Sequence, residues 1–313
     1  MALAVGGSTV CAQAPAPARV RWADVLRQAD AWYVSQEARA IADSVLRYQR
    51  ASGGWPKDID MATVPAATPP DRTDATIDNN ATTTQIRFLV RIPGDKYRQA
   101  ALRGVDYLLG AQYANGGWPQ FYPLRTDYSR YITFNDSAMV NALSVLEEVA
   151  QAKAPFAFVD AERRKRAAYA VSRAIPLILK TQVIVNGVLT VWGAQYDEVT
   201  LEPRPARTFE PVALASAESV GVVRFLMRQP KTPDIIRAVE AAVAWFKTTQ
   251  LPDSRWARFY EIGTNRPIFA GRDGIVRYSV NDIEQERREG YAWHGTWPRE
   301  LVERQYPAWK ARP

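Results

Sequence analysis

Three short acidic motifs carry residue types able to hold a hard cation. They are Thr76-Ile77-Asp78-Asn79-Asn80-Ala81-Thr82, Phe134-Asn135-Asp136-Ser137-Ala138 and Phe209-Glu210-Pro211. Asp78 or Asn80, and Asp136, also read as N-caps accepting a hydrogen bond from a first helical turn. Glu210 stands where a cap prefers a shorter side chain. Three carboxylates on one rim would be oxygen ligands suited to calcium rather than to a transition metal. A second set is basic: Lys57, then Arg204 and Arg207 just ahead of Glu210, then Arg258, Arg266, Arg272 and Arg277 in a late stretch. A guanidinium reads a carboxylate through a planar fork, which suits an acidic sugar, although four arginines in one loop also fit a solvated surface. Trp55, Trp118, Tyr122, Trp192 and Tyr260 offer either sugar-stacking faces or core packing.

A repeat positions these groups. Gln49-Arg-Ala-Ser-Gly-Gly-Trp55-Pro56 returns as Gln112-Tyr-Ala-Asn-Gly-Gly-Trp118-Pro119, with a weaker echo from Gln182 to Gly187 plus Trp192, and a further helix ends near Gln250. The period is about 65 to 70 residues, room for two helices per unit. Apolar residues at helical spacing predict one set of helices over Ala38–Tyr48, Ala101–Tyr113, Ala168–Gln182 and Ile235–Thr249, and a second over Thr82–Arg91, Ser137–Gln151 and Val212–Met227. The first set stops at Gly-Gly or Pro signals, and the second starts after Asn, Asp or Glu-Pro. Two alternating sets make a mostly α fold, a toroid of helical hairpins whose seventh helix needs a shorter partner from a chain terminus. Residues 255–290 read as an irregular, partly extended loop on one face. In an up-down ring the ends of one set and the starts of the other share a rim, so the acidic motifs and the Gly-Gly-Trp-Pro loops meet there.

Composition narrows the chemistry. The 313 residues carry a formal charge of +7 and a pI near 9.5, which favours a polyanionic partner. The basic residues are scattered, as in Arg163, Arg164, Lys165 and Arg166, and no nucleic-acid module surrounds them. With one histidine, His294, a Ser-His-Asp triad or a multi-histidine zinc site has almost no basis. The single cysteine, Cys11, lies in the small, apolar stretch Ala2–Ala14, which resembles the cleavage end of a signal peptide whose basic start lies upstream. Residues 1–14 are therefore expected to be a signal-peptide remnant and 15–313 one catalytic domain. No later run reaches the roughly 20 apolar residues of a membrane span. The expectation is a secreted, soluble monomer, periplasmic or extracellular, that binds neither nucleic acid nor membrane.

Taken together, the motifs resemble the pectate lyases of polysaccharide lyase family 10. The resemblance runs from Ile41 to Trp297 through Gly53-Gly-Trp-Pro-Lys57, Thr76 to Thr84, Gly116 to Pro123, Phe134-Asn-Asp-Ser137, Arg207-Thr-Phe-Glu-Pro-Val212, Arg258-Phe-Tyr-Glu-Ile262 and Gly271-Arg-Asp-Gly274. It implies an (α/α)3 toroid with a small β-containing part, and calcium-dependent cleavage of polygalacturonate by β-elimination to 4,5-unsaturated oligogalacturonides. By motif position it implies Asp78 and Asp136 as Ca²⁺ carboxylates with Glu210 as a possible third, and Arg207 as the base with Arg204 and Arg272 as alternatives. Arg258, Arg272, Lys57, Asn79 and Ser137 would then contact substrate.

An arginine base needs justification, because a guanidinium pKa exceeds 12 and neutrality near pH 9 costs on the order of 5 kcal/mol at about 1.36 kcal/mol per unit. A nearby cation, the late-loop arginines and the start of a following helix would all lower it. An alkaline optimum follows. Two other readings use the same residues: an inverting glycoside hydrolase employing two carboxylates, and a non-catalytic uronide-binding protein. The Gln-x(3)-Gly-Gly-Trp phrase also resembles the repeat of triterpene cyclases, but Asp58-Ile-Asp60-Met61 does not supply their acidic Asp-x-Asp-Asp donor.

Overall fold

Each recurring glutamine ends a helix and ties it to the next helix of the same set. The computed structural model describes residues 20–67 and 69–312; Cys11 and the Ala2–Ala14 segment lie outside them. Gln49 follows α1 (Gln36–Tyr48) and its amide donates to the carbonyls of Gly53 at 2.7 Å and Ala100 at 2.8 Å, the latter in α3 (Asp95–Ala111). Gln112 repeats this with Gly116 at 3.1 Å and Ala170 at 2.8 Å in α5 (Ala161–Thr181). Gln182 does so with Thr190 at 2.8 Å and Ala238 at 2.9 Å in α7 (Pro233–Thr248). One side-chain type at one place thus fastens each loop carbonyl and a carbonyl inside the next helix to the end of the preceding one.

The tryptophans of the repeat point inward. The indole N–H of Trp55, Trp118, Trp192 and Trp256 donates to the carbonyl of Val45, Leu108, Ile178 and Phe246, respectively, at 2.7–2.9 Å, and all four rings are buried. They and the buried Tyr260 are core residues, which corrects the sugar-stacking alternative for Trp55, Trp118, Trp192 and Tyr260. Trimming one such ring to alanine costs about 3–5 kcal/mol. Gly53, at φ +95°, and Gly116, at φ +98°, complete the phrase: an added Cβ would collide with the carbonyl oxygen of Arg103 or Arg173 on the next helix.

The second set is α2 (Thr83–Leu89), α4 (Ala138–Ala150) and α6 (Ser216–Leu226). Within each set neighbours pack in order, α1 on α3 on α5 on α7 and α2 on α4 on α6, giving the expected (α/α)3 toroid. The shorter partner of α7 is the C-terminal helical segment Leu301–Gln305 and Tyr306–Lys310. Among the described residues no helix is long and apolar enough to cross a membrane.

Three helix starts differ: α3 begins at Asp95 rather than Ala101 and α5 at Ala161 rather than Ala168, and the third has a tertiary cause. The third helix of the second set begins at Ser216, not Val212, because Leu214–Ala215 pairs as a strand with Phe259–Tyr260 and the Ser216 N–H donates to the Arg258 carbonyl at 2.9 Å. That strand is the edge of a four-stranded antiparallel sheet continuing through Pro267–Ala270 to Val276–Arg277, so the late loop is more ordered than its sequence implies. A small apolar core of Phe209, Phe259, Ile268, Phe269 and Trp293 lies under it.

Candidate active site

Two tight turns carry the first two acidic motifs. Thr76 N–H donates to the Trp55 carbonyl and Thr133 N–H to the Trp118 carbonyl, both at 3.0 Å, and the turns Asp78–Asn80 and Asn135–Ser137 follow. In the first, Asn79 and Asn80 have φ 48° and 61°; in the second, Asp136 and Ser137 have φ 48° and 60°. Left-handed backbone is tolerated best by Asn and Asp outside glycine, and elsewhere costs about 1–3 kcal/mol, so pairs of such residues on one rim mark a built site. The turns pack against each other.

Their carboxylates do not occupy equivalent places. Asp78 turns inward, 5% exposed, and takes Lys57 Nζ at 2.5 Å and the Asn79 N–H at 3.0 Å. Asp136 opens on a cavity of about 370 Å³ that it shares with Asn79, Asn80, Ser137, Glu218, Arg258 and Trp297; Asp78 is not in its lining. Asn79 and Asn80 also border a larger cavity of about 690 Å³, into which Lys57 faces. The two asparagines form the sill between them.

Arg258 closes the first cavity. Its guanidinium, 11% exposed, donates to Asp136 Oδ1 at 3.0 Å and to Glu218, whose side chain is 1% exposed. Burial works against its charge, but Glu218 and Asp136 outweigh burial and hold it above the ordinary arginine value. Sequence reasoning missed Glu218. A signal existed: the backbone N–H of Trp55 donates to Thr82 and that of Trp192 to Ser219, each 27 residues on and at 3.0 Å, so Glu218 takes the rim place next to Ser219 that Ala81 takes next to Thr82.

Arg207 faces Glu210 in a two-pronged pair, Nη2 to Oε1 at 2.5 Å and Nε to Oε2 at 2.9 Å. Tyr291 OH donates to Glu210 Oε1 at 2.9 Å. Both oxygens expected to reach a metal are thus engaged, and Glu210 is not at a helix start. The hydrogen bond to Glu210 holds Arg207 above its ordinary pKa against burial. This differs from the expected lowering, because Glu210 places a carboxylate directly on the guanidinium. Burial pushes Glu210 up, but the bonds and charge of Arg207 and the Tyr291 hydroxyl together hold it below the usual carboxylate range. Burial pushes the Tyr128 phenol up, and its hydroxyl feels the charges of Arg207, Glu210, Lys57 and Asp78.

The other basic candidates lie apart. Arg204, in the strand Pro203–Arg204, is turned to Asp197. Arg266 stacks on Tyr278, Arg277 pairs with Asp273, and Arg272, 61% exposed, pairs with Glu286. Of the four late arginines, Arg258 alone lines the cavity beside Asp136.

Residues 49–302 match the family model described as pectic acid lyase. Among solved structures, Family 10 polysaccharide lyase from Cellvibrio cellulosa is 36% identical with a TM-score of 0.83, over 92% of this chain and 95% of that one. The chain belongs to the pectic acid lyases of polysaccharide lyase family 10. An aspartate-to-alanine mutant of the Cellvibrio cellulosa lyase in complex with trigalacturonic acid is 35% identical, again with a TM-score of 0.83, over 91% of this pectate lyase and 95% of that chain. No curated protein matches.

Calcium, which the family implies, can be tested against the donors of this lyase. Among the described residues no three His, Cys, Asp or Glu side chains stand together as a ready metal cluster. The chemistry present is nevertheless that of a hard cation: Asp136, Asn79, Asn80 and Ser137 bring oxygen donors to one cavity. Glu218 Oε2 and Asn135 Oδ1 are buried oxygens without a hydrogen-bond partner. The residues fit the ion.

Proposed function

We propose that this pectate lyase cleaves polygalacturonate by calcium-dependent β-elimination, with Arg207 as the base, and that it works after export from the cell. The observation that carries the reading is the grouping of Arg258 with Asp136 at one cavity while Arg207 lies against the same Tyr291 ring as Arg258. Asp136 would hold the calcium ion with Asn79, Asn80 and Ser137, and Asp78, the second candidate, would join them only by leaving Lys57. Bound there, calcium supplies positive charge that lowers the cost of the charge developing next to the uronate carboxylate. Support for export comes from the Ala2–Ala14 stretch.

The residues of the chain divide the work. Arg258 is fixed by two carboxylates and presents its remaining N–H groups for the substrate carboxylate; Lys57 and Asn79 meet the sugar at the sill. Arg207 takes the proton from C5, the electron pair becomes the C4–C5 double bond, and the C4–O bond breaks, its oxygen taking a proton from water. Glu210 orients the guanidinium, and we assign it to Arg207 rather than to the metal because both of its oxygens are engaged. Arg207 is held protonated in this arrangement, so substrate turnover depends on alkaline pH.

Hydrolysis by two carboxylates is less well supported. It needs a protonated acid facing the substrate, whereas Glu210 is held below the usual carboxylate range beside Arg207, and Glu218, which burial pushes up, is 1% exposed and bonded to Arg258. Incubating the enzyme with polygalacturonate, with calcium and with chelator, tests the reading. Ultraviolet absorbance of the double bond should rise with calcium and stop with chelator; new reducing ends without that absorbance would mean hydrolysis.

A further inference from the structure

We infer that Tyr291 is a positioning residue that fixes the distance between the two arginines of the reaction, and that it does so through two separable parts, its ring and its hydroxyl. The inference rests on the reading of Arg207 as base and Arg258 as carboxylate holder. Neither the motifs nor the family match singles this tyrosine out.

The ring is shared. Arg258 Cζ lies 4.8 Å from its centroid and Arg207 Cζ 5.9 Å, so one aromatic ring attracts both cations. Two like charges near one another repel, and a shared π-system, with Glu210 bonded to one cation and Asp136 and Glu218 to the other, offsets that repulsion. The ring cannot wander, being packed edge-on against Phe209 at 5.3 Å and Trp293 at 4.8 Å and stacked on Phe259 at 6.4 Å.

The hydroxyl acts on one arginine only. It donates to Glu210 Oε1, the oxygen that also receives Arg207 Nη2, and so sets the pose of the Arg207–Glu210 pair. The backbone ties Tyr291 to the other: the Arg258 N–H donates to the Trp293 carbonyl at 2.7 Å, and the Trp293 N–H to the Tyr291 carbonyl at 3.0 Å. A displacement of Tyr291 therefore disturbs the Arg207–Glu210 pair through the hydroxyl and the Arg258 guanidinium through the ring.

Two variants separate the parts. Tyr291→Phe keeps the ring and removes the bond to Glu210. It should leave the KM for polygalacturonate within about twofold of wild type and lower kcat by about three- to tenfold, the worth of one hydrogen bond. Tyr291→Leu removes both, and should also raise KM by about tenfold because Arg258 is no longer held from above. Thermal unfolding of each variant identifies the folded fraction, and if the leucine variant does not fold, the phenylalanine variant decides. A purely structural tyrosine would lower the unfolding midpoint without splitting kcat from KM. The inference is overturned if Tyr291→Phe matches wild-type kcat, or if folded Tyr291→Leu keeps the wild-type KM. If wild type itself forms no unsaturated product, the underlying reading fails instead, which the same assay shows.

Discussion

Asp136 occupies in its turn the place that Asn79 occupies in the preceding one, both at φ 48° and each followed by a second left-handed residue. The counterpart of Asp78 is accordingly Asn135, a buried amide with an unpartnered oxygen. Of the two aspartates the motifs single out, Asp136 is the one that reaches the cavity and Arg258.

Asp136→Ala should therefore be severe. It removes an oxygen donor for the cation and a partner of Arg258, and kcat/KM should fall at least about 100-fold, with the calcium requirement shifted upward. Initial rates over a calcium series check this; an unchanged calcium dependence would speak against Asp136 as a ligand.

Glu218 is a stability residue as well as a site residue. Glu218→Ala leaves a buried guanidinium with one partner fewer and should cost about 3–5 kcal/mol in denaturant unfolding. Glu218→Gln keeps the shape and an acceptor and should cost less. Equal, small losses in both would show that Arg258 does not depend on the charge.

The glutamine staples can be tested away from the chemistry. Gln112→Ala removes hydrogen bonds to Gly116 and Ala170 and should destabilise by about 1–3 kcal/mol, which lowers Tm by several degrees. Activity per folded molecule should remain as in wild type, measured below the transition.

The late loop has its own pH signature. The Arg277 hydrogen bond pulls the Asp273 carboxyl down to about 2, and Arg272 with Arg287 pulls Glu286 down to about 2. A lowered carboxylate contributes its pairing above its ordinary value and loses it as pH falls through the lowered one, so these pairs should persist through mild acid and break only near pH 2. Both groups are at the surface, so the effect on global stability is small. Carboxyl resonances followed by NMR would show it; midpoints at the ordinary values would contradict it.

The helix sets were legible because their signals are local. Gln-x(3)-Gly-Gly-Trp repeats, and apolar spacing finds α1 to α5 and α7, although α3 and α5 start earlier than it implies. The start of α6 was not legible, since Leu214–Ala215 is a strand only because Phe259–Tyr260, distant in sequence, lies beside it. The same long-range contact hid the site partners: Asp136, Glu218 and Arg258 meet across 40 and 122 residues. Arg272 read as the twin of Arg258, yet Glu284 and Glu286, twelve and fourteen residues on, hold it at the surface. Tyr291 has no motif of its own, because its part is set by what it lies between.

The central claim is that Arg207 removes the proton in an elimination. Its most direct test is the rate of double-bond absorbance from polygalacturonate with calcium at alkaline pH, for wild type and Arg207→Lys, alongside calorimetric binding of an oligogalacturonate. Lysine keeps a charge but loses the two-pronged bond to Glu210, so the account predicts a rate at least about 1,000-fold lower with binding retained. A lysine variant within tenfold of wild type would contradict it.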